Sequence, residues 1–265
     1  MRQIIGAAIA LFLATTAAAQ DSGLQQFATG DDSRGWEAVG RLDIEGKGFC
    51  TATLIDERTV LTAAHCVFDR DGAVSADRLT FSAGLRNGRA EAYRDVRRIF
   101  VHPQYDPNRI ERDVAVVAYD LALLELSQPI RNMRIEPIPV AASLLRGQDI
   151  GVVSYARDRA DAPSIQEVCS VLGRQGHVLI MTCEINFGSS GAPVFRISGG
   201  RAEVVSVISA MSELDGDPVS LGASLGEPLA ELRTQAATPT RIQTNTLIPG
   251  QRSDTGAKFI RPGGG

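Results

Sequence analysis

Three residue types that together can move a proton and attack a carbonyl occur in this chain in the order His, Asp, Ser. They are His65 in Thr62-Ala63-Ala64-His65-Cys66, Asp120 in Asp120-Leu121-Ala122-Leu123-Leu124, and Ser190 in Gly188-Ser189-Ser190-Gly191-Ala192-Pro193. An imidazole, with a free pKa of about 6.5, can take a hydroxyl proton at neutral pH and return it to a leaving group. It then needs a nucleophile to deprotonate and a carboxylate to orient it. Ser190 has small neighbours, Ser189 and Gly191, that let a substrate carbonyl approach the backbone closely. Asp120 opens an apolar run that would bury it, and Asp113 is a rival carboxylate a few residues upstream.

In this order and with these flanks, the three segments resemble the trypsin-like serine proteases of the chymotrypsin fold, from about residue 36 to 232. The order carries information, because the same triad occurs in other orders on unrelated folds. The resemblance implies an all-β fold of two six-stranded antiparallel β-barrels with a short C-terminal helix. It makes His65 the general base, Asp120 the group that holds its tautomer, and Ser190 the nucleophile, with the N–H groups of Gly188 and Ser190 as the oxyanion hole. Ser209, in Val207-Ile208-Ser209-Ala210, resembles the family serine that supports the aspartate and lines the substrate strand.

The chain departs from the usual Gly-Asp-Ser-Gly-Gly-Pro at two places, Ser189 and Ala192, and has no Ile-Val-Gly-Gly start. A hydroxyl at position 189 cannot pair with an amino terminus as the family aspartate does, so activation is expected not to use that ion pair. In these respects the chain is similar to the bacterial glutamyl-endopeptidase-like branch. Glu184 lies six residues before Ser190, where trypsin carries the acid of its primary pocket. Ile208 stands where glutamyl endopeptidases carry a histidine, and Met211 falls at a pocket wall. Glu184, Ser209 and Met211 are therefore the expected substrate-binding residues, and the side-chain preference stays open.

Positioning these groups requires strands. From Trp36 onward the chain is short β-branched and apolar runs cut by Gly, Asp and Asn, the pattern of an all-β protein. Strands are expected at 37–44, 48–55, 60–62, 78–83, 91–101 and 114–126, then at 149–154, 165–172, 177–183, 193–197 and 203–211. Glu45-Gly46-Lys47-Gly48 and Arg86-Asn87-Gly88 read as hairpin turns. Asp69-Arg70-Asp71-Gly72 lacks the ligand spacing of a calcium loop and reads as a turn. His102, before Pro103, is expected to be an exposed surface histidine. The division is a signal peptide at 1–19, a propeptide or irregular segment at 20–35, a first barrel at 36–128 carrying His and Asp, and a connection at 129–140. A second barrel at 141–234 carries Ser and a terminal helix near 227–234, and a disordered tail follows at 235–265.

Residues 1–19 combine Arg2, a short apolar run and Ala17-Ala18-Ala19, which predicts a secreted or periplasmic protein with no membrane attachment after signal removal. Export gives the four cysteines meaning, and of three pairings the expected one is Cys50 with Cys66 and Cys169 with Cys183, each closing a hairpin-sized loop near a candidate catalytic element. The first pairing is also a family resemblance. These spacings do not suit zinc, so no metal and no cofactor are expected. A net charge of -4 without a basic block excludes a nucleic-acid footprint. The expected partners of this monomeric chain are a polypeptide substrate and a protein inhibitor. The reading is a serine-type endopeptidase working through an acyl-enzyme, and its rival is a silent protease-like binding protein of the same fold. An esterase on another fold is disfavoured by the lack of a G-x-S-x-G elbow.

Overall fold

Alternation along the first strands already sets a barrel wall: in Val39–Ile44, Leu42 and Ile44 are buried while Arg41 and Asp43 reach outward. The structure, a computed structural model, describes residues 23–110, 113–141, 144 and 147–238. The signal peptide expected at 1–19 and all but residues 235–238 of the disordered tail expected at 235–265 lie outside the described residues, and residues 235–237 continue the terminal helix instead of opening the tail. The strands are β1 (Leu24–Gln26), β2 (Val39–Ile44), β3 (Gly48–Leu54), β4 (Thr59–Thr62), β5 (Phe68–Asp69), β6 (Gly72–Ala73), β7 (Leu79–Ala83) and β8 (Ala92–Val101). They continue as β9 (Ala122–Leu126), β10 (Asp149–Ala156), β11 (Arg159–Gln175), β12 (Val178–Met181), β13 (Pro193–Ser198), β14 (Arg201–Leu214) and β15 (Asp217–Ser224), and helix α1 (Gly226–Ala237) closes the fold.

The strands form two antiparallel barrels. The first closes in the order β2-β3-β4-β9-β8-β7. In the second, β10-β13-β14-β15-β12 is joined at both ends by the long β11, which pairs with β10 and with β12. This is the mostly-β, chymotrypsin-like architecture expected from the sequence. The β7–β8 hairpin turns on Asn87 and Gly88, at φ 49° and 78°, the positive values that an Asn-Gly pair accepts at little cost.

The largest apolar cluster runs through both units. Leu42, Leu54, Phe81 and Leu124 of the first barrel belong to the same packed cluster as Val153, Phe195 and Val207 of the second. Trp36 packs its ring 4.3 Å from that of Phe195. Each such side chain, fully buried, is worth about 1.5–3 kcal/mol. A second cluster fills the far barrel around Ile150, Val152, Leu179 and Val194, against the Cys169–Cys183 disulfide.

Besides the boundary of the tail, the structure differs from the sequence reading in four places. The stretch 114–126 is not one strand: Val114–Tyr119 forms a 3-10 helix, capped by the Asp113 carboxylate accepting from Ala115 N at 2.9 Å, and only Ala122–Leu126 is β9. An unbroken apolar run does not distinguish the two by period. β15 was not expected, because its Ser, Gly and Ala content hides it. That smallness is what lets it pack, since a Cβ on Gly222 would lie 2.5 Å from Ser206 Oγ. Within the segment 20–35, read as irregular, Leu24–Gln26 adds as a strand to the edge of β11, and Phe27 is buried beside it. His102 is not exposed: its side chain is at 0% exposure, stacked on Tyr119 and covered by Glu231 of α1.

Candidate active site

His65 and Asp120 meet because β4 and β9 are antiparallel neighbours. Thr62, the last residue of β4, sits opposite Ala122, the first of β9, so the residues just beyond each end share one rim of the barrel. The chain after β4 turns into the 3-10 helix Ala64–Val67, which the Cys50–Cys66 disulfide ties to β3. Lys47 adds to this hold, with its amine donating to the carbonyls of His65 (2.9 Å) and Phe68 (2.5 Å). His65 Nδ1 lies 2.7 Å from Asp120 Oδ2, and the His65 amide donates to Asp120 Oδ1 at 2.8 Å. Asp120 is fully buried, while the His65 side chain keeps 25% exposure.

The Ser209 hydroxyl gives Asp120 a further bond. Ser209 sits where the β14–β15 register slips between Ile208 and Ala210, and such a bulge re-aims a side chain. Burial would push the Asp120 carboxyl up. The His65 charge, the His65 ring bond, the Ser209 hydroxyl and the His65 amide outweigh it and hold the carboxyl below the usual carboxylate value. The rival Asp113 is used up as a helix cap and as the partner of Arg109.

Ser190 stands in the turn entering β13, and the hydrogen bonds of that turn can be counted group by group. The carbonyls of Gly188 and Ser190 face the first barrel, accepting from Thr51 Oγ1 (2.9 Å) and Thr51 N (2.8 Å). Those of Phe187 and Ser189 accept from Arg157 N (2.7 Å) and Ala192 N (2.9 Å). The N–H groups of Ser189 and Gly191 donate to Asn186 O (2.9 Å) and Ile208 O (2.8 Å). Among the described residues, only the N–H groups of Gly188 and Ser190 in this run have no acceptor. In a planar trans peptide N–H and C=O point oppositely, so anchoring the Phe187 and Ser189 carbonyls turns both free donors the other way.

The glycines make this turn possible. Gly188 and Gly191 have φ of 99° and 80°, and a Cβ on Gly191 would lie 2.1 Å from Thr62 Oγ1 and 2.2 Å from Thr51 O. Ser189 is buried, its hydroxyl bonded to Ser154 Oγ (3.2 Å) and to Asn186 N (3.2 Å). The Ser190 hydroxyl has no hydrogen-bond partner among the described residues, and His65 Nε2 has the Cys66 sulfur 3.9 Å away. The structure thus joins His65, Asp120 and Ser209 directly, and brings the Ser190 turn against the strand that leads to His65.

Two of the expected substrate-binding residues, Glu184 and Met211, lie on the surface. Glu184 is exposed, its amide held by Gln166 Oε1 at 2.7 Å, and Met211 is 50% exposed on β14. Cys169 is bonded to Cys183. His65 also lies within ligand reach of the Cys50 and Cys66 sulfurs, but these are bonded to each other and offer no thiolate. Lys47, Thr51 and Arg157 escaped the sequence reading. They act through backbone groups distant in the chain, and no residue pattern announces such contacts.

Against this geometry, the family model of trypsin matches residues 29–219. Glutamyl endopeptidase of Bacillus licheniformis is 29% identical over 157 residues, covering 58% of this chain and 47% of that protein. Chymotrypsin-like elastase family member 1 of Rattus norvegicus is 26% identical over 199 residues, covering 62% of this chain and 69% of that one. Among solved structures, a Glu endopeptidase in complex with MPD superposes with a TM-score of 0.64 at 19% identity, over 82% of this chain and 97% of that one. With most of its length matched by the family model and the two-barrel fold in place, this chain belongs to the trypsin family.

Proposed function

We propose that the chain is an exported serine endopeptidase that cleaves polypeptides through an acyl-enzyme, with His65 as general base, Asp120 as its orienting anion and Ser190 as nucleophile. The observation that carries the reading is the pair of unpartnered donors at Gly188 and Ser190, displayed by the turn that holds the candidate nucleophile. Two donors on one turn match what a developing oxyanion requires.

In the first step His65 Nε2 takes the Ser190 proton as Oγ attacks the peptide carbonyl. The imidazolium is stabilised by Asp120 through Nδ1, and it then protonates the leaving amine. Water enters by the same route and releases the acid. Hydrogen bonds from base to nucleophile are commonly loose in a free enzyme and tighten with substrate, which accords with an unpaired Ser190 hydroxyl.

The relatives' names point to peptide-bond cleavage, and a polypeptide is the substrate class we assign. A secreted or periplasmic location follows from the segment 1–19. No helix among the described residues is long and apolar enough to cross a membrane. The test is a fluorophosphonate probe on the processed protein, followed by a peptide-library digest. Labelling at Ser190 together with cleavage supports the assignment, whereas a folded, unlabelled and inert protein points to the binding-protein reading instead.

A further inference from the structure

The turn that presents Gly188 and Ser190 is not held by the second barrel alone. Thr51, on β3 of the first barrel and fully buried, meets it twice. Its amide donates to Ser190 O at 2.8 Å, and its hydroxyl donates to Gly188 O at 2.9 Å. The same hydroxyl accepts from Tyr155 N at 3.0 Å, on β10 of the second barrel. Its own carbonyl takes the Thr62 hydroxyl at 2.9 Å, on the strand that leads to His65. One residue therefore links the candidate nucleophile turn, the strand behind it and the strand of the candidate base, its hydroxyl joining the first two and its carbonyl the third.

We propose that Thr51 is a positioning residue of the oxyanion loop: its hydroxyl and amide hold the Gly188 and Ser190 carbonyls, which belong to the peptides that follow each free donor, and so keep the shape of the turn that Arg157 N and Ala192 N orient through the donor peptides themselves. This rests on the endopeptidase reading above and adds to it how the donors are set. The physical reason is the alternation of peptide planes. Turning the Gly188 carbonyl away from Thr51 rotates the peptide between the two donors, and a glycine at φ 99° offers little resistance of its own. The neighbouring Ser189 is neutral and buried, so no charged contact at that position supplies the same restraint. The Thr51 side chain takes part in no step of the chemistry, so its removal should appear in transition-state stabilisation and not in ground-state binding.

Three variants test this. Thr51→Val keeps the shape and the β-branch but removes the hydroxyl, Thr51→Ala removes it with less steric demand, and Thr51→Ser keeps it. With a cleavable peptide, Thr51→Val and Thr51→Ala should lower kcat by about ten- to a hundredfold with KM changed less than about twofold, since loss of an oxyanion donor costs up to about 10²–10³ in kcat. Affinity for a peptide boronic acid, which fills the oxyanion site, should fall in parallel, while affinity for the matching product peptide should not. Thr51→Ser should restore both to within about threefold. If Thr51→Val does not fold, the comparison of Ala with Ser reads the same quantity. Folded Val and Ala variants with wild-type kcat and boronate affinity overturn the proposal while leaving the endopeptidase assignment intact. A wild-type chain that neither cleaves peptides nor binds the boronate overturns both.

Discussion

At the scale of single residues, the candidate site consists of one buried anion, one half-open imidazole and one hydroxyl on a turn flanked by glycines. If they act as a unit, Ser190→Ala should lower turnover by about a millionfold, measured against a peptide ester to reach the residual rate. Asp120→Asn should cost about 10⁴, because the amide favours the wrong imidazole tautomer. The same substitution should change acid stability. The Asp120 carboxyl sits below its usual value in the fold, so its contribution is complete above the unfolded pKa, about 3.9, and disappears as pH falls through the folded value. Denaturation curves taken below about pH 4 should therefore be flatter with pH for Asp120→Asn than for the parent. These residues were legible in the sequence because each carries its own local signature: His65 beside a cysteine at a strand end, Asp120 before an apolar run, Ser190 between small residues. Ser209 came only with the family resemblance, and Thr51 not at all, since a buried strand threonine looks like any other until its partners are known.

At the scale of elements, two histidine contacts attach α1 to the barrels. His102 faces Glu231 at 3.3 Å, and His177 faces Glu227 at 3.6 Å, so one helix face meets the loop after β8 and the turn before β12. Burial holds the His102 imidazole below its usual value, against the opposing pull of Glu231 and with a small further lowering from His177. A lowered histidine stabilises the fold fully above its unfolded pKa, about 6.5, and that contribution is lost as pH falls toward the folded value. His102→Gln should thus reduce the loss of stability on acidification below about pH 6.5, read from thermal unfolding at a series of pH values. The disulfides act on the same scale. Cys50–Cys66 and Cys169–Cys183 close sequence separations of 16 and 14 residues, and replacing either pair by alanine should cost about 3 kcal/mol in denaturant titrations. Most strand positions could be read from alternation and turn residues. The 3-10 helix Val114–Tyr119 and β15 could not, the first because its apolar run has no telling period and the second because its small residues carry little strand signal.

At the scale of the molecule, the site exists only where two barrels share one core. Tyr155 of β10 donates its hydroxyl to Leu85 O at 2.8 Å, and Arg41 of β2 donates to Ala160 O at 3.1 Å, so polar bonds as well as apolar packing cross the seam. Trp36, the single tryptophan, sits on that seam against Phe195. Unfolding followed by its fluorescence should coincide with unfolding followed by far-ultraviolet circular dichroism, because a continuous core couples the two barrels; separate midpoints would show that they melt independently. The order of the chain by itself determined the strand-rich class, the pairing of short cysteine loops and the three candidate reacting groups, the first two because they are written in residue type and near-neighbour spacing and the third with the help of the family resemblance. Only the tertiary structure decided that Asp113 serves as a cap, that His102 is covered, and that Thr51 bonds to the turn of the candidate nucleophile. Those outcomes depend on which distant backbone groups fall within hydrogen-bond reach, and that is set by how the sheets close.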